Sequence, residues 1–329
     1  MRAGGQILTL LCASRTFLIL RSLADGPKAQ LALRRDTGSM AKSTLRGHLK
    51  ELETAKAVAK RQGDSPSGRF EYELTRPGEE LLEVAASLER WLADSPGGPL
   101  DLDSAPAKAA VKSLVDAWLA QMVAPLAERP LSLTELDKRL TTISYPMIER
   151  RLEAMRLTEQ VDAGTRESAG TRYAVTDWVR RGLAPLTLGA RWEQRNQPEL
   201  ADPVSREDIE EAVAIVSPLS RVPAELSGIC QLAVRVGEDG DRRRFLGAIE
   251  AKDGAISFGA VYPQRRPDAW ASATADTWFS TLVDADTAGL KLSGDRELAR
   301  TVFDRLREAL FGSEAEDRSE AVLNPPAHG

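Results

Sequence analysis

In Ser43-Thr-Leu-Arg-Gly-His-Leu-Lys-Glu-Leu-Glu53, three leucines stand at i, i+4 and i+7, and everything between them is polar or small. At about 100° per residue, Leu45, Leu49 and Leu52 fall within about 60° of one another. The stretch is therefore one amphipathic helix with its apolar stripe toward a core. Ser43, Gly47 and Lys50 lie opposite, Arg46 flanks them, and Lys42 stands just upstream. Arginine and lysine reach guanine edges and phosphates, and glycine lets a backbone approach closely, so this face suits a DNA groove. A solvated basic surface would carry the same letters. His48 falls beside the leucines and is expected to pack there.

Working outward, an apolar helix is expected from Ile7 to Ala24, stopped by Asp25-Gly-Pro27. A short helix over Lys28–Arg35 and a turn at Asp36-Thr-Gly38 follow. Ser39 is then placed to cap the leucine helix, which runs to about Ala55. Downstream, Val58–Arg61 and Phe70–Leu74 read as two strands joined by a Gly/Pro loop. Thr75 caps a last helix with Pro77 in its first turn, ending near Leu92. Three helices, a hairpin and a helix make a winged helix-turn-helix, with Lys60, Arg61 and Arg69 on the hairpin free to hold flanking phosphates. The basic residues cluster here: residues 28–61 carry nine Lys or Arg against three Asp or Glu, in a chain of net charge −5.

Three motifs occur in order: Ile19-Leu-Arg-Ser-Leu-Ala-Asp-Gly-Pro27, the Ser43–Glu53 stretch and Tyr72-Glu-Leu-Thr-Arg-Pro-Gly78. Together they resemble the HxlR-type bacterial transcriptional regulators over about 75 residues. The chain departs from that pattern in lacking an Arg-Phe pair after Gly26-Pro27. It also has Lys56-Ala57 where a Gly-Leu ends the recognition helix. The resemblance implies sequence-specific binding to double-stranded promoter DNA through Lys42, Ser43, Arg46, Gly47, Lys50, Lys60, Arg61 and Arg69. It also implies two readers for two half-sites, and repression by steric blocking is the expected sign.

A second copy of the unit is expected after the Pro/Gly/Asp-rich linker at 93–105. Leu45, Leu49 and Leu52 recur as Ile148, Leu152 and Met155, and Leu33 as Leu136, all offset by 103. Tyr72-Glu-Leu-Thr75 recurs as Tyr173-Ala-Val-Thr176, offset by 101. The presumptive readers do not recur: Arg46 becomes Glu149, Gly47 becomes Arg150 and Lys50 becomes Glu153. The first copy is thus expected to dominate DNA binding and the second to act as a pseudo-symmetric partner, although Arg150, Arg151, Arg166 and Arg172 leave a weak contact open. With both readers in one chain, the protein is either a monomer or a homodimer.

The fold class expected is mainly α with α+β. Tandem winged helix-turn-helix domains at 1–92 and 106–197 precede an α+β domain at 204–311 and a disordered tail at 312–329. In the third block a helix at 205–217 precedes a strand meander, Cys230–Val236, Phe245–Glu250 and Ala255–Tyr262. A helix over Ala271–Val283, a strand at Leu290–Asp295 and a helix over Arg296–Phe311 complete it. The order is similar to the sterol-carrier-protein-like fold. That resemblance implies an apolar tunnel for a small hydrophobic ligand, lined by Phe258, Trp270, Trp278, Phe279, Leu282, Phe303 and Leu306. A filled core accounts for the same residues equally. A carrier whose basic modules serve only for docking is the alternative function.

Composition bounds the rest. At 329 residues with 42% hydrophobic and 28% charged side chains, the chain can bury several cores. Two cysteines 218 positions apart and two histidines offer no disulfide framework and no metal-ligand cluster. No phosphate loop or nucleophile elbow appears, so no enzyme, cofactor or catalytic residue is expected. Arg15 and Arg21 interrupt the apolar amino-terminal run, which is expected to be a packed helix rather than a secretion signal. No membrane span and a cytoplasmic location are the corresponding expectations.

Overall fold

The apolar amino-terminal run forms two helices rather than one, α1 (Gly5–Cys12) and α2 (Thr16–Ala24). The break has a local cause. Arg15 is held in the left-handed region at φ 66°, and its guanidinium donates to the carbonyls of Thr37 and Gly38 at 2.7 and 3.2 Å. A residue fixed there interrupts the α-helical path. This computed structural model describes residues 4–13, 15–63, 70–164, 170–236, 242–260 and 265–312. It is mixed α and β. By contact the chain divides into two units, one drawn from 1–122, 133–165 and 184–202, the other from 123–132, 166–183 and 203–329.

Next in the first unit come β1 (Lys28–Ala29), α3 (Gln30–Asp36) and α4 (Lys42–Thr54). Lys28 and Ala29 are a strand, not the helix start expected, because they pair with Tyr72 and Glu71. Ser39 is not the cap of α4. It lies at φ 59° and its amide closes the preceding turn onto the Arg34 carbonyl at 2.7 Å; Ala41 precedes α4 with no side-chain cap. Strands β2 (Val58–Gln62) and β3 (Phe70–Leu74) form the hairpin, and the sheet order is β1-β3-β2. Helix α5 (Arg76–Ala93) starts on Thr75, whose Oγ1 accepts from the Gly78 amide at 3.2 Å. Leu45, Leu49 and Leu52 are fully buried with Leu20, Leu33, Leu81 and Leu88. The stripe that defined the helix is the stripe that holds it.

The chain continues through α6 (Ala105–Leu119), α7 (Val123–Glu128), β4 (Leu131–Ser132), α8 (Leu133–Arg139) and α9 (Tyr145–Leu157). Then follow β5 (Val161–Ala163), β6 (Arg172–Val175), α10 (Asp177–Arg181) and α11 (Leu183–Asn196). In the first unit α6 packs on α1 and on α9. A Cβ on Gly5 would come within 2.9 Å of Val115 Cγ1, and the buried Gln160 side chain donates to the Ala110 carbonyl at 2.7 Å. Helix α11 ties down the amino terminus. Its buried Glu193 accepts from the amides of Gly4 and Ile7 at 2.8 and 3.3 Å. Burial pushes that carboxyl up, and the two amides partly offset it. Trp192 Nε1 donates to the Pro77 carbonyl at 2.7 Å.

The second unit adds α12 (Arg206–Val216), β7 (Gly228–Val236), β8 (Arg242–Lys252), β9 (Ala255–Gly259), β10 (Ala269–Ala273), α13 (Ala275–Asp284), β11 (Lys291–Gly294) and α14 (Arg296–Phe311). Two expectations fail here for one reason. Ala271–Ala273 is strand, and the sheet is not a simple meander: its order is β11-β10-β7-β8-β9, with β10 parallel to β7. Ala269, Ala271 and Ala273 alternate into the core at 0–1% exposure, a period of two that tertiary pairing imposes on helix-forming letters. Thr274 then caps α13 by accepting from the Thr277 amide.

Buried Arg180 is the chief polar anchor of this unit. It donates to the carbonyls of Ile215 at 3.1 Å and Ala127 at 2.8 Å, with Asp177 at 3.7 Å. Arg180→Met removes the donors and leaves both acceptors buried. The unit is expected to lose about 3 kcal/mol, read as a lower midpoint in urea unfolding with an unchanged slope.

Candidate nucleic-acid interface

Lys42, Ser43, Arg46, Gly47 and Lys50 are all exposed on α4, opposite its leucines. A Cβ built on Gly47 would meet nothing within 4 Å, so the glycine answers no need of the fold. Gly47→Ala is therefore expected to stabilise α4 by about 0.5–1 kcal/mol. If the helix faces DNA, the same change weakens DNA binding; thermal melting and DNA titration of one variant separate the two effects. His48 is half-buried, with Nδ1 3.2 Å from Thr16 Oγ1 and 3.5 Å from Glu51 Oε2.

On the hairpin the alternation sorts the predicted residues. Lys60 pairs with Tyr72 and Gln62 with Phe70 on one face, while Arg61 pairs with Glu71 on the other. Arg61 is engaged there by Glu71 at 3.2 Å and Glu73 at 3.4 Å, so its charge is spent within the hairpin. Arg69 lies outside the described residues, as do Arg166 and residues 313–329 of the expected tail. Lys60 instead sits 4.0 Å from the centroid of the Phe70 ring, a cation–π contact that holds the ammonium at the face of the hairpin.

A groove of about 520 Å³ results, bounded by α3, the start of α4 and the hairpin. Arg34, Lys42, Arg46 and Lys60 line it with Phe70 and Tyr72, and among the described residues no carboxylate does. Arg34 is held by its Nε donating to the Met40 carbonyl at 3.0 Å. The Tyr72 hydroxyl is pushed up by burial and by Glu53, against the pull of Arg46. Phe70 is 57% exposed and Leu31 52%, large apolar side chains on the rim of a cationic groove. Sequence reasoning missed Arg34, Phe70 and Tyr72. Phe70 and Tyr72 share the parity of Lys60 across the hairpin, which was a usable signal; Arg34 comes from a different helix and gave none.

Behind the groove, Lys28 bonds Asp36 at 2.8 Å and Asp25 at 3.3 Å, and Ser22 donates to Asp36 at 2.5 Å. The Lys28 ammonium and the Ser22 hydroxyl hold the Asp36 carboxyl below its usual range, and Asp36 holds Lys28 above its own. The network clamps α2 to the last residue of α3.

In the second unit, Trp278, Phe279, Leu282, Phe303 and Leu306 are 0–5% exposed on the helix side of the sheet. Trp278 meets Phe303 edge-on at 5.3 Å and donates to the Ala233 carbonyl at 3.0 Å. Phe258 lies over Gly247. Trp270 is not with them; in register it stands beside Gln231 and Ser293, on the other face. Burial pushes the thiols of Cys12 and Cys230 up to about 12, which leaves them inert as nucleophiles. Among the described residues no group of three or more His, Cys, Asp or Glu is placed to hold a metal ion. No single helix among them is long and apolar enough to cross a membrane.

Residues 11–96, about a quarter of the chain, match the HxlR-like helix-turn-helix family. The amino-terminal domain is thus of the helix-turn-helix type, and the match suggests a DNA-binding transcriptional regulator. No curated protein matches the chain.

Proposed function

We propose that the protein is a sequence-specific transcriptional regulator, a repressor acting by steric occlusion, that reads promoter DNA with α4 of its first module. The observation that carries this reading is the cationic groove. Four basic side chains from α3, α4 and the hairpin converge beside an exposed helix face inside the family-matched segment. Phosphates along a duplex are met by such a row, and Arg46 is placed to add base-edge contacts.

Residues 106–197 are, in this reading, a divergent second copy. Pairing of β4 with β6 matches Leu131 to Tyr173, as β1 with β3 matches Lys28 to Tyr72. Lys56 and Glu159, offset by 103, are both left-handed at φ 60° and 57°. After them the amides of Ala57 and Gln160 bond the carbonyls of Leu52 and Met155. Arg90-Trp91 recurs as Arg191-Trp192, extending the offset of 101. Helix α9, however, presents Glu149 and Glu153, the latter paired with Arg156 at 2.8 Å. This copy supports the fold and contributes little to DNA affinity. One chain then supplies both halves of what a dimer supplies, and a monomer suffices. The carboxy-terminal domain is taken as sterol-carrier-like and as the sensor or assembly part; its capped α13, β11 and α14 follow in that order of elements.

The test is fluorescence-anisotropy titration of the full chain against its own upstream DNA and a scrambled fragment at several salt concentrations. Preference for the upstream DNA, with affinity falling as salt rises, supports the reading. Equal or absent binding at low salt overturns it.

A further inference from the structure

The face of the carboxy-terminal sheet turned away from its helices carries a pocket of about 270 Å³. Strand register shows how it is built. One row across the sheet reads Lys291, Ser272, Ala233, Phe245 on β11, β10, β7 and β8; the neighbouring row reads Ser293, Trp270, Gln231. Ala233 and the buried Ser272 form a low floor, and Trp270 and Phe245 rise from it. Lys291 and Arg243 supply two cations to the lining, and among the described residues no carboxylate lines it. Among the described residues neither cation has an ion-pair partner, in a segment (198–329) that carries 24 acidic and 15 basic residues.

A second observation points to an anion. Arg243 stands directly opposite Arg235 across β7 and β8, a like-charge pair that costs stability in a sheet. Arg235 donates to the Gly289 carbonyl at 2.9 Å, yet its Nε is a buried donor with no acceptor among the described residues. A negative charge at this end of the pocket would relieve both conditions.

We propose that this pocket binds a small planar aromatic carboxylate, its ring on the Ala233–Ser272 floor against Trp270 and its carboxylate between Lys291 and Arg243. The volume lies just below the roughly 300–1,000 Å³ of most small-molecule clefts, so one or two fused rings fit. This site is separate from the apolar core on the helix side and independent of the DNA reading.

The experiment is calorimetric and fluorescence titration of the full chain with naphthoate and with naphthalenemethanol, the same ring without the charge. Naphthoate is expected to bind at least about tenfold more tightly than the alcohol. Lys291→Gln and Arg243→Gln are each expected to weaken naphthoate about tenfold, with melting temperatures no lower than that of the unchanged chain. Trp270→Phe keeps the calorimetric binding and loses the fluorescence quenching. The proposal is overturned if naphthoate gives no heat at millimolar concentration or the alcohol binds equally. It also fails if neither charge removal matters, or if quenching survives in Trp270→Phe.

Discussion

Reversing two charges, Arg46→Glu with Lys60→Glu, is expected to lower affinity for the upstream DNA by at least about a hundredfold. The two residues come from α4 and β2 and meet in one groove, so the double variant removes cations from both of its walls and puts carboxylates in their place. A lost bidentate base contact alone costs about 1–3 kcal/mol of discrimination. Each lost phosphate contact also flattens the dependence of log affinity on log salt by about 0.9. The variant therefore changes two readouts together: weaker binding and a shallower salt slope. Both side chains are exposed, so the melting temperature should hold. Arg150→Glu on α9 is the matched control and is expected to change affinity by less than about threefold. If the control and the double variant lose affinity alike, α9 shares the reading of DNA.

Gly78→Ala is expected to destabilise the first unit by about 3 kcal/mol. Gly78 is in the first turn of α5, where its amide is already used by Thr75. A Cβ there would be driven into the Ala57 carbonyl oxygen, with the carbonyl carbon at 3.0 Å and Leu74 Cδ2 at 2.9 Å. Two of these three atoms are backbone, fixed by the bond from the Thr75 amide to the Ala57 carbonyl at 3.1 Å. Neither α5 nor β2 can yield without losing that join, so the overpacking cost is high for one methyl. A drop of about 10 °C in the melting temperature follows at this size. Circular dichroism checks it, against the opposite shift expected for Gly47→Ala.

Legibility in the sequence followed the range of the forces involved. The leucine stripe of α4, the hairpin strands and the Thr75 cap are set by local spacing and local hydrogen bonding, and all were readable. Arg15 was not, because its left-handed turn is held by carbonyls 22 and 23 residues away. Nor was β10, whose alanine-rich letters favour helix until β7 supplies a parallel partner. The groove shows the same division. Lys42, Arg46 and Lys60 were named from their own helix and strand. Arg34 joins them only because α3 and the hairpin are brought together by β1, and Arg61 leaves them because a one-residue step reverses its face.

The seam between α1 and α6 has a further meaning. In a contact between two identical chains, residue i meets j and j meets i, so every substitution strikes twice. Here Gly5 meets Val115 once, within a single molecule. A substitution at one side is not mirrored at the other, and dilution does not pull the two sides apart. Each can change alone.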